Sequence, residues 1–180
     1  MFLALDLPAD ARTALAAWRD ALVADRPDLR PVAPEALHVT LVFLGWQDEA
    51  AAEAISAAAF DAAPAGGAVL RAGAVKPLPP RDPRLFALDL DDAGGAASAL
   101  QAATAGALDA GGWYTPEKRL FWPHMTLARV KRGERRVAPL RADLQPPGEP
   151  FEARELTLYK STLRPQGALY EPLGRTALAA

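Results

Sequence analysis

His38 and His124 are the only two histidines in 180 residues, and they stand in nearly the same words, His38-Val39-Thr40-Leu41 and His124-Met125-Thr126-Leu127. Side chains alternate across a β-strand, so residues i and i+2 share a face. His38 therefore points with Thr40, and His124 with Thr126, each imidazole about 6–7 Å along the strand from its hydroxyl. The residues between them, Val39, Leu41 and Phe43 in one motif and Met125 and Leu127 in the other, are expected to face a core. Two imidazoles and two hydroxyls converging on one cleft suit phosphodiester cleavage. One neutral histidine activates the attacking oxygen, and one protonated histidine protonates the departing oxygen near neutral pH. Threonine hydroxyls donate to the non-bridging phosphoryl oxygens and orient phosphorus for in-line attack. Two histidines with no third histidine or nearby carboxylate make a poor zinc site, so neither a metal nor another cofactor is expected.

The elements that must hold these groups repeat as well. Phe2-Leu3-Ala4-Leu5-Asp6-Leu7 and Phe86-Ala87-Leu88-Asp89-Leu90-Asp91 are each followed by an alanine-rich stretch and then by a His-x-Thr motif. Internal repetition of this kind predicts a duplicated, two-lobed fold over residues 1–180, with pseudo-repeats of roughly 1–80 and 81–180. The boundary falls in the proline-rich stretch Lys76 to Arg84, read as turn. Periodicity predicts helices over 9–24, 48–63 and 95–110, the first through Ala11, Leu15, Trp18 and Leu22, the last stopped by Gly111-Gly112. Strands are expected over 2–7, 38–44, 69–75, 85–90 and 124–130, with the tail 151–163 and 170–173 adding more, and an irregular approach over Pro27 to Pro34. The class is α+β, with helices covering one face of each sheet.

Arg129 is the best further phosphate ligand, although its odd spacing from His124 demands a bulge or a strand end. It belongs to a basic segment, Lys118, Arg119, Arg129, Lys131, Arg132, Arg135 and Arg136, which reads as a solvated face or as a seat for a phosphate backbone. Phe121 and Trp122 fit base stacking or core packing equally. Asp6 and Asp89 end strands and read as caps or solvated residues. A net charge of −2 argues against gripping nucleic acid by bulk electrostatics. The absence of cysteine removes disulfides, a thiol nucleophile and thiolate metal sites. No phosphate-cradling glycine loop and no Ser-His-Asp order is present. With no long apolar span and no basic leader, the expected protein is cytoplasmic, off the membrane, and monomeric.

Paired His-x-Thr motifs about 80–90 residues apart in a small α+β chain resemble the 2H phosphoesterase superfamily. Within it the sequence is similar to the RNA 2′,3′-cyclic phosphodiesterase family, also called 2′-5′ RNA ligase. The likeness runs through Phe2 to Pro8, Leu37 to Leu41 with Phe43-Leu44-Gly45, Pro123 to Arg129, and Leu158-Tyr159-Lys160-Ser161. It implies a bilobal fold with two antiparallel sheets facing a central cleft, helices on the outer faces, and metal-independent hydrolysis of a 2′,3′-cyclic phosphate at an RNA end to a 2′-phosphate. It also implies His38 as the acid and His124 as the base, exchangeable in role, with Thr40 and Thr126 holding the phosphate. Two departures, Pro31 after Arg30 and Trp122 before Pro123-His124, bear on nucleobase and backbone contacts. The alternatives are 2′-5′ RNA ligation by the same four residues in reverse, a cyclic phosphodiesterase for a small nucleotide, and a non-catalytic RNA-binding module built on the basic segment.

Overall fold

Five consecutive buried residues make β1 (Phe2–Asp6) an interior strand, covered on both faces. In the computed structural model, which describes residues 1–135, 137–141, 143–164 and 167–179, the chain continues through α1 (Ala9–Val23), β2 (Leu29–Pro31), β3 (His38–Phe43), α2 (Ala52–Asp61) and β4 (Ala68–Leu78). It then runs through β5 (Leu85–Asp91), α3 (Ala96–Ala110), β6 (His124–Val130), β7 (Phe151–Ala153), β8 (Glu155–Arg164) and β9 (Gly167–Ala177). Arg136, counted above in the basic segment, lies outside the described residues.

Two antiparallel sheets result, one in the order β3-β1-β8-β9 and the other β2-β6-β5-β4-β7. With three α-helices the architecture is α+β, as the periodicity implies. Setting β2 aside, the sheets correspond strand for strand: β3 to β6, β1 to β5, β8 to β4, and β9 to β7. Each sheet draws strands from distant parts of the chain, because β8 and β9 complete the sheet of β1 while β2 and β7 lie at the edges of that of β5.

Leu15, Trp18 and Leu22 bury the inner face of α1, and the Arg19 guanidinium beside them is spent on the Val32 carbonyl and on Asp20. Asp92 caps α3 by accepting from the Ala97 and Ser98 amides at 3.1 and 2.8 Å. One core runs between the helices and the inner sheet faces, through Leu3, Leu5, Val39, Ile55, Leu88, Leu100, Met125 and Leu156. Burying each such side chain contributes about 1.5–3 kcal/mol.

Several boundaries differ from the sequence reading. β4 extends through Lys76, Pro77 and Leu78, so the stretch read as turn supplies three strand residues paired with β5. The tail 151–163 is two strands: β7 pairs with β4 in one sheet, β8 with β1 in the other, and the break falls at Arg154. β9 covers eleven residues, well beyond 170–173. Within the irregular approach, Leu29–Pro31 adds to the edge of β6.

Candidate active site

Both motif strands carry the same irregularity at the same place. The β1–β3 register jumps between Leu3↔Val42 and Ala4↔Thr40, leaving Leu41 without a partner. The β5–β6 register jumps between Phe86↔Ala128 and Ala87↔Thr126, leaving Leu127 without one. A bulge of this kind inserts one residue and reverses the phase of alternation beyond it. Hence Leu41 and Val42 are both buried, as are Leu127 and Ala128. Phe43 and Arg129 thereby rejoin the face of the histidine and threonine. This answers the odd spacing of Arg129. It also corrects the expectation for Phe43, which is 64% exposed and lines the cleft rather than the core.

The imidazoles are held alike. His38 Nδ1 donates to the Ala36 carbonyl at 2.8 Å, and His124 Nδ1 donates to the Trp122 carbonyl at 2.7 Å. A carbonyl only accepts, so each neutral ring carries its proton on Nδ1 and leaves Nε2 unprotonated. His38 Nε2 lies 3.0 Å from Thr40 Oγ1. Burial pushes the His38 pKa below its ordinary 6.5; the Ala36 contact and the Asp6 charge oppose this, and the charges of His124 and Arg129 add to the lowering.

Each ring also rests on an aromatic. Phe2 stacks on His38 at 4.9 Å, with Tyr170 edge-on at 5.3 Å, and Trp122 stacks on His124 at 4.3 Å with 12° between planes. Of the two readings of Phe121 and Trp122, Phe121 packs against the core, while Trp122 gives one face to the histidine.

The strand-end aspartates are neither caps nor simply solvated. Asp6 pairs in register with His38, and Asp89 with His124. Asp6 is 5% exposed and accepts from Thr157 Oγ1 at 2.7 Å and from the Tyr159 hydroxyl at 2.8 Å. Asp89 accepts from Trp122 Nε1 and pairs with Lys76 Nζ at 2.8 Å. Burial works against the Asp89 charge, but the bonds from Lys76 and Trp122 outweigh it and hold its pKa below the usual carboxylate value.

A cleft of about 850 Å³ runs between the sheets and is lined by His38, Thr40, Thr126 and Arg129. His124 is not part of that lining; it stands two residues from Thr126 on the same strand face, with its charge bearing on His38. Arg30, Lys160 and Arg164 add positive charge to the walls, Asp48 and Glu49 negative, and Lys160 is paired with Glu49 at 2.6 Å. Phe43, Trp46 and Leu163 form an exposed apolar rim, 64%, 87% and 88% accessible. Of the described residues of the basic segment only Arg129 lines this cleft. Among the described residues, no three of His, Cys, Asp or Glu stand together as a metal site.

The family profile described as 2′-5′ RNA ligase superfamily matches residues 7–164, most of the chain. The chain belongs to the 2′-5′ RNA ligase superfamily. Among solved structures, TT0787 of Thermus thermophilus is 28% identical over 98% of this chain and 96% of its own, with TM-score 0.73. Escherichia coli LigT complexed with NADP+ is 27% identical over 99% and 96%, with TM-score 0.76. LigT complexed with 3′-AMP is 28% identical over 99% and 97%, with TM-score 0.71. A search of curated proteins returns no match. In the superfamily's terms the chain is a LigT-like enzyme of the phosphoesterase family, with the two antiparallel sheets and three helices of that fold. No helix among the described residues is long and apolar enough to cross a membrane.

Sequence reasoning missed Phe43 and Trp46 as cleft residues and Lys76, Asp6 and Asp89 as partners of the histidine surroundings. The matched Asp6 and Asp89 in the repeated strands were the available signal; the bulges had none.

Proposed function

We propose that this enzyme opens 2′,3′-cyclic phosphates at RNA ends to 2′-phosphates, using His38 and His124 as its proton-transfer pair and Thr40, Thr126 and Arg129 as phosphate ligands. The observation that carries the reading is the duplicated presentation: two histidines on matched strands, each with Nδ1 committed to a backbone carbonyl, which makes Nε2 the nitrogen for proton transfer, that of His38 standing 3.0 Å from Thr40 Oγ1. Water attacks phosphorus in line with the 3′ oxygen, and the base takes the water proton. The P–O3′ bond breaks, and the acid returns a proton to the ribose 3′ oxygen. Arg129 and the threonine hydroxyls meet the charge on the non-bridging oxygens.

The electrostatics of His38 support exchanging the two roles that the resemblance implies. A lowered pKa leaves His38 neutral at pH 7, with an unprotonated Nε2, which suits a base. His124 then serves as the acid. Ligation is the same path with an RNA 5′ hydroxyl in place of water, which leaves a 2′-5′ linkage. A free cyclic nucleotide is the second reading, favoured by the 3′-AMP complex of LigT. The apolar rim of Phe43, Trp46 and Leu163 supports the RNA end over the mononucleotide, because it offers stacking surface beyond the catalytic pair.

The test supplies the purified protein, in EDTA, with an oligoribonucleotide ending in a 2′,3′-cyclic phosphate and, separately, with cyclic mononucleotides. Expected is a 2′-phosphate product, formed faster on the oligonucleotide and lost in both His38→Ala and His124→Ala. No conversion of either substrate, or conversion indifferent to both substitutions, would overturn the proposal.

A further inference from the structure

One carboxylate position is used in two ways by the two halves of this fold. Asp6 and Asp89 occupy equivalent places, each in register with a motif histidine. The strand across from each supplies the partner: Thr157 pairs with Ala4 and Lys76 with Ala87, again equivalent places. In the first half the carboxylate is sealed in by Thr157 and Tyr159. In the second it is 30% exposed on its side chain and joins Lys76 to Trp122.

Neither carboxylate receives the Nδ1 proton of its histidine, since both Nδ1 donors go to backbone carbonyls. What Asp89 does touch is the indole that lies flat on His124. Trp122 meets this histidine twice, through its ring face at 4.3 Å and through its own carbonyl on Nδ1 at 2.7 Å. The indole is itself fixed at Nε1 by Asp89. Lys76 closes the arrangement by pairing with Asp89 at 2.8 Å while standing 5.0 Å from the centre of the Trp122 ring. An isolated indole on a half-exposed strand end has free χ angles; one tied at its N–H and covered by an ammonium has lost them.

We infer that Lys76, Asp89 and Trp122 form a tether whose purpose is to fix the plane of the His124 ring, making Asp89 and Trp122 positioning residues of this enzyme. This rests on the proposed role of His124 in proton transfer. A misdirected Nε2 costs rate rather than binding, because reach and angle to the reacting oxygen decide proton transfer. On the His38 side the equivalent carboxylate, Asp6, is held by Thr157 and Tyr159, so loss of Asp89 is expected to leave His38 in place.

With two histidines in the chain, imidazole proton resonances form only two sets. A flat indole at this distance moves the His124 ring protons upfield, and Trp122→Ala defines the unstacked position. Asp89→Ala is expected to carry the His124 resonances most of the way to that position while leaving those of His38 in place. It is expected to lower kcat about tenfold with KM changed less than twofold. Asp89→Asn, isosteric and still able to accept from the indole, serves where the alanine variant does not fold, with a smaller displacement in the same direction. Unmoved His124 resonances in the folded variant overturn the tether. Resonances that move with kcat unchanged overturn its part in catalysis. Because the spectra need no turnover, they decide the tether even if the cyclic phosphate proves to be the wrong substrate.

Discussion

Removing the hydroxyl of Tyr159 measures how the buried Asp6 is held. The carboxylate is 5% exposed and its side-chain donors are Tyr159, at 2.8 and 3.0 Å to its two oxygens, and Thr157 at 2.7 Å. Tyr159→Phe keeps the ring on Phe2 and deletes one charge-assisted hydrogen bond, worth about 1.5–3 kcal/mol when the acceptor stays buried. In a protein of this size that lowers Tm by roughly 3–12 °C, at about 2–4 °C per kcal/mol. The tyrosine reports on the same contact from its own side. Burial, then the Asp6 hydrogen bond and charge, push its pKa up to about 12 from an ordinary 10.0. A pKa raised in the folded state contributes stability that is fully present below pH 10 and lost as pH climbs through 12, amounting to about 2.7 kcal/mol for two pH units. Urea unfolding at pH 7 and along a series from pH 9 to 12 reads both effects. The expected result is a variant less stable at pH 7 that lacks this part of the wild type's alkaline decline. A loss under about 0.5 kcal/mol at pH 7 would refute the reasoning, since it would mean that Asp6 does not depend on the tyrosine.

Three further outcomes concern the cleft. With His38 as base, the acid limb of kcat/KM on the cyclic-phosphate substrate lies below pH 6.5, following its lowered pKa; a limb above 6.5 would overturn the assignment of His38 as base. Thr40→Val and Thr126→Val are each expected to cut kcat by about 10²-fold while the fold survives, since both hydroxyls sit on strand positions where valine is at home; equal losses in both would support the symmetric use of the two motifs, and no loss in either would remove them from the site. Phe43→Ala is expected to raise KM for an oligonucleotide by about 10-fold, roughly the value of one stacked base, and to leave a cyclic mononucleotide much less affected; equal effects on both would place Phe43 at the terminal nucleotide.

Much of this site was legible because scarcity and repetition reinforce each other. Two histidines in matched words, each two residues from a threonine, fix a shared strand face by alternation alone, and β3 and β6 are those strands. The repeated Phe2-to-Leu7 and Phe86-to-Asp91 segments likewise read as strands because unbroken apolar runs of that length suit buried sheet. The failures have a common physical origin in the third dimension of the sheet. Alternation assigns Phe43 to the core and leaves Arg129 out of phase, and nothing in Leu41 or Leu127 announces that the ladder will skip them. Lys76 to Leu78 read as turn because of the prolines around them, yet β5 offers a pairing edge that outweighs local preference. Asp6 looked solvated because its donors, Thr157 and Tyr159, lie some 150 residues away and reach it only when β8 inserts beside β1.

The twin bulges connect these observations to function. Duplication alone yields a cleft with the same groups on both sides, which would bind a substrate equally well in two orientations. Reversing the phase after each threonine exchanges Val42 for Phe43 and Ala128 for Arg129 on the cleft face, and there the halves differ: an aromatic ring at Phe43, a guanidinium at Arg129. A ring suits a base and a guanidinium suits a phosphate. On the proposed reading this favours one direction for an RNA end, with its terminal phosphate toward β6 and a base beyond the terminal nucleotide toward β3. The same asymmetry brings positive charge to bear on His38 and deepens the lowering of its pKa. Symmetric chemistry is thus given a direction by two residues that strand alternation, applied without the bulges, would have placed elsewhere.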